Sequence, residues 1–308
     1  MEIALVIIGI LLILIAVAAY IPYRMAFYAT QKKKELTRVI PHECQYEPHR
    51  DYMLSLIEEL AAKPYERVEI RSRDGKRLVG KYYHQQDGAP LDIGFHGYKS
   101  DAVRDFCGGS RISFSLGHNV LLVDQRAHGN SDGYTISFGI RERFDVLDWI
   151  RYANGRFGTS IPIYLYGVSM GAATVLMAAG LELPENVKGV IADCPYSSPA
   201  EIIQKVCVDR GLPPRPLFPL LQLGAILYGH FRLTPRVSAA QAVKHAKVPI
   251  LIIHGDDDRF VPCGMSQKIQ QANHHRVTLR LFPKAGHALS YILDGEQYET
   301  IVRSFLSV

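Results

Sequence analysis

Several patterns that would indicate other classes of protein are missing from this sequence. Its five cysteines are odd in number and form no C-x-x-C pair, which argues against a disulfide framework and agrees with a cytoplasmic domain. No H-E-x-x-H motif occurs, so a metal hydrolase is disfavoured, and we expect neither a metal nor a cofactor. The sequence also contains no internal repeat and no low-complexity tract. The cysteines are Cys44, Cys107, Cys194, Cys207 and Cys263.

Excess positive charge is nearly absent beyond the first 38 residues. Residues 1–38 carry +3 of the net charge of +5, so the remaining 270 residues carry only +2. A nucleic-acid-binding domain would need a basic face, and we therefore do not expect nucleic acid as a partner. The charges before residue 39 are Arg24, Lys32, Lys33, Lys34 and Arg38, against Glu2 and Glu35.

Charge is missing altogether from Ile3 to Ile21, a run of nineteen residues. A helix rises ~1.5 Å per residue, so this run is long enough to span a hydrocarbon layer of ~30 Å. We predict a transmembrane anchor over residues 1–23, in which Pro22 lets the helix stop at the membrane boundary. Three tyrosines are expected at the membrane interface: Tyr20, Tyr23 and Tyr28.

The rival interpretation of this segment is a cleaved signal peptide. Ala16-Val17-Ala18 resembles a cleavage site, but no cationic residue precedes the apolar run, which disfavours cleavage. The basic residues after the run favour a single-pass protein whose following domain is cytoplasmic. Translocation of that domain is the alternative.

Apolar runs recur after a basic linker and a peripheral helix at residues 24–64. Two alternating segments flank Asp74-Gly75, which predicts a hairpin, and six further runs are separated by helical patterns. This order predicts an α/β fold with a mostly parallel, eight-stranded sheet that begins antiparallel. The six runs are Leu91 to Phe95, Val120 to Val123, Ile161 to Tyr166, Val187 to Ala192, Val248 to Ile253 and Val277 to Leu281.

One connection is much longer than the others. More than fifty residues separate Ala192 from Val248, which predicts a helical lid at residues 195–245. The lid is inserted after the sixth strand, and the core is made of residues 65–194 and 246–308. Its apolar residues either line a substrate pocket or only pack the lid onto the domain. They are Leu217, Phe218, Leu220, Leu221, Leu223, Ile226, Leu227 and Tyr228.

The pentapeptide Gly167-Val168-Ser169-Met170-Gly171 follows a predicted strand and begins a helix of small residues. A strand, a sharp turn and a helix expose a serine as a nucleophile, and glycine is needed two residues before and after it because a β-carbon there would clash. The helix directs free N–H groups at the serine, so the N–H of Met170 is a candidate oxyanion donor.

A serine nucleophile needs a base and an acid. Of the twelve histidines, His287 follows the last predicted strand, as the chain order Ser, Asp, His requires. The acid is expected in the loop after the strand from Val248, where Asp256, Asp257 and Asp258 are consecutive. The residues alone leave the choice among these three open.

This ordered set resembles the α/β-hydrolase superfamily, in particular its membrane-anchored serine hydrolases, which include esterases, lipases and peptidases. The likeness runs from about Tyr65 to the C-terminus. In that family the acid loop reads H-G-x-x-D-x-x-V-P, and the match to His254 through Pro262 implies Asp258 as the acid. Some hydrolases carry the acid one strand earlier, which makes Asp193 the alternative.

The resemblance also implies a second oxyanion donor. The family's H-G-x sequence after the third strand matches His96-Gly97-Tyr98, so the N–H of Tyr98 would act with that of Met170. The stretch from Asp124 to Gly133 is similar to the family's D-x-R-x-x-G-x-S-x-G loop, with Ala127 where glycine is more usual. We interpret that loop as structural.

These observations predict a serine esterase (EC 3.1.1) that cleaves carboxylic esters through Ser169, His287 and Asp258. The apolar lid and the membrane tether favour a small-molecule or lipid-like ester as its substrate. A peptidase or amidase built on the same triad is the first alternative, with Glu201 and Asp209 as the lid acids available for a substrate amine. A non-catalytic membrane scaffold is the second. The sequence identifies neither the substrate-binding residues nor the oligomeric state.

Overall fold

The computed structural model describes residues 1–29, 40 and 44–307. Its strands are β1 (Glu66–Arg71), β2 (Arg77–Tyr83), β3 (Leu91–Phe95), β4 (Asn119–Asp124), β5 (Ile163–Val168), β6 (Val187–Asp193), β7 (Ile250–Gly255) and β8 (Val277–Phe282). Its helices are α1 (Glu2–Ala26), α2 (Arg50–Ala61), α3 (Ala102–Phe106), α4 (Gly109–Ser115), α5 (Glu142–Phe157), α6 (Met170–Ala179), α7 (Pro199–Asp209), α8 (Pro214–Leu227), α9 (Ala239–Ala242), α10 (Gly264–Ala272), α11 (Ser290–Leu293) and α12 (Gly295–Leu306). The basic residues Lys32, Lys33, Lys34 and Arg38 lie outside the described residues.

The strands form one sheet in the order β1-β2-β4-β3-β5-β6-β7-β8. The pairs β1–β2 and β2–β4 are antiparallel and every other neighbouring pair is parallel, which confirms the predicted eight-stranded sheet with an antiparallel start. The hairpin turns at Gly75, whose φ of +80° favours glycine. Because β4 and β5 lie on opposite sides of β3, the loops after β3 and β5 meet at a topological switch point, where ligands bind in open α/β sheets.

The sheet core is apolar on both faces. All residues of β3, β4 and β7 are buried, as expected for strands covered by helices on both sides. Helix α6 is also buried at all ten positions, and its small residues allow it to pack closely on β5 and β6. The helix that follows Ser169 is therefore held rigidly against the sheet.

The long connection between β6 and β7 contains the helices α7, α8 and α9. The insertion expected at residues 195–245 is thus helical, and its function as a lid stays a prediction. The insertion contacts the N-terminal helix, because α8 packs against the second half of α1. At the crossing, a β-carbon on Gly224 would lie 2.5 Å from the carbonyl oxygen of Ala19, so only glycine permits this approach.

Helix α1 continues past Pro22 to Ala26, so the expectation that the helix stops at Pro22 is wrong. A proline inside a helix removes one backbone hydrogen bond and typically costs ~3 kcal/mol. The residues after Pro22 offset this cost by packing on the domain, where Tyr23 and Phe27 are buried. Among the described helices, α1 is the one that is long and apolar enough to cross a membrane.

The three N-terminal tyrosines differ in environment, contrary to the predicted interfacial belt. Tyr20 is 43% exposed, but Tyr23 is only 5% exposed and its hydroxyl lies 2.7 Å from Oγ1 of Thr135. Tyr28 stacks on Tyr134 with ring centroids 5.6 Å apart. Tyr23 and Tyr28 are therefore structural residues of the domain, because the chain turns back onto the domain after α1.

Phe27 is expected to be a major contributor to stability. It is fully buried and makes edge-to-face contacts with Phe138 and Phe231, at centroid distances of 5.8 and 5.2 Å. Phe27→Ala should lower the free energy of unfolding by ~3–5 kcal/mol because it leaves a cavity between two rings. Urea unfolding of the full-length chain in micelles measures the effect. The control Ile13→Ala, at a position 64% exposed, should change stability by less than ~0.5 kcal/mol.

Candidate active site

Ser169 occupies the turn between β5 and α6 with φ +54° and ψ −112°, a strained conformation for a residue other than glycine. The neighbouring glycines make this turn possible. A β-carbon on Gly167 would lie 2.4 Å from the nitrogen of Ala172, and one on Gly171 would lie 1.8 Å from the carbonyl oxygen of Phe95. The sequence predicted both clashes, and the second shows that the turn packs directly against the end of β3.

The structure brings Ser169, His287 and Asp258 together from three separate loops. The Ser169 Oγ lies 2.9 Å from His287 Nε2, and His287 Nδ1 lies 2.7 Å from Asp258 Oδ2. All three residues are buried, with exposures of 9%, 7% and 4%. The imidazole is therefore held between a hydroxyl and a carboxylate.

The other acid candidates face elsewhere. Asp256 accepts a hydrogen bond from the N–H of Lys284, and the exposed Asp257 forms an ion pair with Arg259. Asp193 lies at the end of β6, where its Oδ2 accepts a hydrogen bond from the Tyr298 hydroxyl at 3.0 Å. Burial raises the pKa of Asp193 to about 6. Of the four aspartates considered, Asp258 is the one that His287 contacts.

The Asp258 carboxylate accepts hydrogen bonds on both oxygens. The N–H groups of Val261 and Phe260 donate to Oδ1 at 2.7 and 3.0 Å. Burial alone would raise the pKa of Asp258, but the charge and hydrogen bonds of His287 and His254 outweigh it and lower the pKa below its ordinary range. The group is therefore a carboxylate at neutral pH and cannot take the proton from His287.

His254 is a site residue that sequence reasoning missed. Its Nε2 lies 3.1 Å from Asp258 Oδ2 and 2.8 Å from the carbonyl oxygen of Val261. Because both neighbours of Nε2 are acceptors, Nε2 must carry a proton. In the neutral ring Nδ1 then accepts a hydrogen bond from the Ser266 hydroxyl at 2.6 Å. The position of His254 four residues before Asp258, at the strand end, was the available signal.

The loop after β3 lies against the serine turn. A β-carbon on Gly97 would lie 3.4 Å from the Ser169 Cβ, and Tyr98 follows directly. The loop is fixed because Asp105 Oδ2 accepts a hydrogen bond from the Gly97 N–H at 2.7 Å. Among the described residues, none accepts a hydrogen bond from the N–H of Tyr98 or of Met170. Neither N–H is therefore used by another acceptor among the described residues, and their role as oxyanion donors stays a prediction.

The loop from Asp124 to Gly133 contacts the loop after β3 and helps to hold it in place. Ala127 has φ +64°, which explains why glycine is more usual there. The Nε2 of His128 accepts a hydrogen bond from the Lys99 N–H at 3.0 Å, and burial lowers the pKa of His128 to about 3, so its ring stays neutral. The loop that we interpreted as structural therefore also positions the residue after Tyr98.

Two cavities meet at Ser169. The first, which we call the apolar cavity, has a volume of about 380 Å³ and lies between Ser169, the end of α1 and the helices α7 and α8. Of the eight apolar insertion residues named from the sequence, Leu217 and Leu221 line it. The second cavity, of about 230 Å³, lies on the other side of Ser169 and is lined in part by Arg104, Asp193 and His287.

Cys194, Asp258 and His287 form the one cluster of possible metal ligands in the part of the chain that the structure describes, with ligand atoms within 4.8 Å of one another. Asp258 and His287 are hydrogen-bonded to each other. Burial raises the pKa of the Cys194 thiol well above its ordinary value, so the sulfur stays protonated at neutral pH and is a poor metal ligand. The geometry suits acid–base chemistry better than metal binding.

Comparison with known proteins identifies sequences and structures that are similar to this chain. Residues 96–215 match the family described as alpha/beta hydrolase fold, and residues 216–300 match the dienelactone hydrolase family. Over 196 residues the chain is 30% identical to the protein YqkD of Bacillus subtilis, covering 63% of this chain and 64% of that one. Over 206 residues it is 25% identical to the lysophosphatidylserine lipase ABHD12 of Danio rerio, covering 64% and 52%. The chain thus spans less than two thirds of either relative.

Solved structures share the fold. The esterase Pf2001 of Pyrococcus furiosus superimposes with a TM-score of 0.65 at 22% identity, covering 81% of this chain and 92% of that one. Est1E of Butyrivibrio proteoclasticus, solved with ferulic acid, superimposes with a TM-score of 0.60 at 21% identity, covering 78% and 97%. Because the two family matches run without a gap from residue 96 to residue 300 and these structures share the architecture, the chain has the α/β-hydrolase fold.

Proposed function

We propose that this protein is a serine hydrolase that cleaves carboxylic esters through an acyl-enzyme. The single observation that carries the proposal is the continuous hydrogen-bonded chain from Ser169 through His287 to Asp258, at 2.9 and 2.7 Å. In this mechanism His287 Nε2 takes the Ser169 proton while Oγ attacks the ester carbonyl. The N–H groups of Tyr98 and Met170 stabilise the oxyanion, and each such donor is typically worth ~2.7–4 kcal/mol.

The second half of the reaction uses the same groups. Protonated His287 gives its proton to the departing alcohol, and the Asp258 carboxylate stabilises the imidazolium while that proton is carried. Water then enters, His287 deprotonates it, and its oxygen attacks the acyl-enzyme carbonyl. The Ser169 Oγ then leaves, takes the proton from His287, and the carboxylic acid is released. No step of this mechanism needs a cofactor or a metal.

An ester with an apolar acyl group is the substrate class that the surroundings of Ser169 favour. The apolar cavity presents mainly aliphatic side chains, and the charged residues that line it, Lys99 and Arg210, are both cations. Such a site suits an acyl chain, whereas an amine would need an acid. The lipase activity in the name of ABHD12 supports the same class.

A peptidase or amidase is the alternative on the same triad. Its predicted amine-binding acids are engaged elsewhere, because Glu201 forms an ion pair with Lys268 and Asp209 forms one with Lys205. Neither lines the apolar cavity. A non-catalytic scaffold is disfavoured, since a strained serine at φ +54° has a cost that a scaffold does not require.

Membrane anchoring by α1 is part of the proposal. Most side chains from Ile3 to Ile15 are exposed and apolar, as in a helix that faces lipid. The basic residues that follow α1 in the sequence favour a single-pass topology with the hydrolase domain in the cytoplasm. The domain boundaries proposed are an anchor ending at Ala26, a hydrolase core and an inserted helical lid at residues 195–245.

The substrate class is tested by comparing acyl 4-nitrophenyl esters with aminoacyl 4-nitroanilides on the full-length chain in micelles. We expect kcat/KM for the esters to exceed that for the anilides by at least tenfold. Faster cleavage of the anilides would favour the peptidase alternative. Absence of turnover of both classes would contradict the proposed function.

A further inference from the structure

The last three turns of α1 are hydrogen-bonded to the hydrolase domain. The Tyr98 hydroxyl donates a hydrogen bond to the carbonyl oxygen of Ala26 at 2.7 Å, and the Tyr228 hydroxyl donates to that of Ala16 at 2.8 Å. The first bond comes from the residue proposed as an oxyanion donor, and the second comes from just beyond α8. The end of α1 is thus bonded both to the site and to the insertion.

This end of α1 lines the apolar cavity. Ile21, Pro22, Met25 and Ala26 lie at i, i+1, i+4 and i+5, so they form one stripe of the helix, and all four face the cavity. Ile21 and Met25 remain 60% and 56% exposed although the neighbouring Tyr23 is buried. The stripe therefore presents apolar surface to a space that the rest of the protein does not fill.

We propose that this stripe of α1 is a wall of the acyl-binding site, so that the apolar N-terminal helix determines which acyl groups reach Ser169. The inference rests on the proposed function and names its acyl subsite. The acyl chain lies between the α1 stripe on one side and Ile203, Val206 and Leu221 of the insertion on the other, with its carbonyl at Ser169. The second cavity receives the alcohol.

The size of the cavity suits one hydrocarbon chain. A volume of about 380 Å³ lies near the lower end of the ~300–1,000 Å³ typical of small-molecule sites, which accommodates a single acyl chain better than two. Each methylene buried there contributes ~0.8 kcal/mol, so selectivity should increase with chain length until the cavity is full.

The position of the wall also suggests a route from the bilayer. An unbroken run of exposed apolar side chains on α1 extends from Ile10 to Ile15, and at ~1.5 Å per residue Ile21 lies only ~9 Å beyond Ile15 along the helix axis. An acyl chain that follows the surface of α1 out of the lipid therefore meets the cavity without crossing water. The same helix would serve as the anchor and as the guide for the substrate.

The test uses the full-length chain in phosphatidylcholine vesicles and measures the ratio of kcat/KM for 4-nitrophenyl dodecanoate to that for 4-nitrophenyl butanoate. Ala26→Phe fills the wall of the cavity and should lower this ratio at least tenfold, since one methylene alone discriminates by ~10-fold or more in such pockets. Ile13→Phe places an aromatic ring at an exposed position on the opposite face of α1, away from the cavity, and should leave the ratio unchanged.

A second variant keeps the inference testable if Ala26→Phe fails to fold. Met25 is 56% exposed, so Met25→Gln needs no repacking and places an amide in the apolar cavity. It should lower the ratio by about threefold to tenfold. An unchanged ratio in both variants, or an equal fall in Ile13→Phe, would overturn the inference while ester turnover by the wild type sustains the proposed function. A wild type that turns over neither ester would overturn the proposed function and the inference with it.

Discussion

Replacing Ser169 with alanine should lower kcat for ester hydrolysis by ~10⁴- to 10⁶-fold, the range found when the nucleophile of a triad is removed. The variant keeps every backbone contact of the turn, because alanine retains the β-carbon and loses only the Oγ that His287 contacts at 2.9 Å. The fold and the melting temperature should therefore be retained. Labelling by a fluorophosphonate probe should be lost together with turnover.

The control for Ser169→Ala is Cys194→Ala, which removes the neighbouring thiol. Cys194 Sγ lies 3.9 Å from His287 Nε2, so sulfur is the other nucleophile within reach of the same base. Burial holds the pKa of this thiol far above its ordinary value, which makes it unreactive, and Cys194→Ala should keep activity within about tenfold. The reverse pattern, with activity lost in Cys194→Ala and kept in Ser169→Ala, would refute Ser169 as the nucleophile.

Asp258→Asn should lower kcat by ~10⁴-fold with little change in KM. An asparagine amide can donate to His287 Nδ1, which would favour the imidazole tautomer with its proton on Nε2, and that nitrogen could then no longer accept from Ser169. The change is nearly isosteric, so the N–H groups of Val261 and Phe260 keep their acceptor at Oδ1. Steady-state kinetics on an acyl ester, with circular dichroism to monitor the fold, measure the effect.

Two matched variants separate the acid candidates. Asp257→Asn alters the exposed neighbour that pairs with Arg259, and Asp193→Asn alters the carboxyl that is hydrogen-bonded to Tyr298. Both should keep activity within about tenfold, because neither carboxylate contacts His287. A large loss in Asp193→Asn combined with a small one in Asp258→Asn would assign the acid to the end of β6.

The sequence was sufficient to predict the sheet and the convergence of the site loops. Apolar runs fixed the strands to within two residues, as for β3 at Leu91–Phe95, since buried parallel strands have a strong local pattern. Ser169 and His287 were recognisable because each follows a strand in the order that this chemistry requires. Choosing Asp258 among three consecutive aspartates required a resemblance, because the orientation of a loop side chain depends on distant partners such as His287.

The end of α1 could not be predicted because its environment is set by distant residues. Local rules place a helix stop at Pro22 and tyrosines at a lipid interface. The structure instead buries Tyr23 beside Thr135, more than a hundred residues away. No periodicity within the N-terminal segment reports such a contact, so composition alone described this helix only as an anchor.

The burial of Phe27 between Phe138 and Phe231 bears on how the chain is made. Phe231 is synthesised about 200 residues after Phe27, a delay of ~10–40 s at ~5–20 residues per second. Until Phe231 has been synthesised, the apolar amino-terminal segment lacks one of the two rings that enclose Phe27. Early insertion of this segment into a lipid layer would prevent it from aggregating. The rest of the chain would then fold next to the membrane that already holds its first residues.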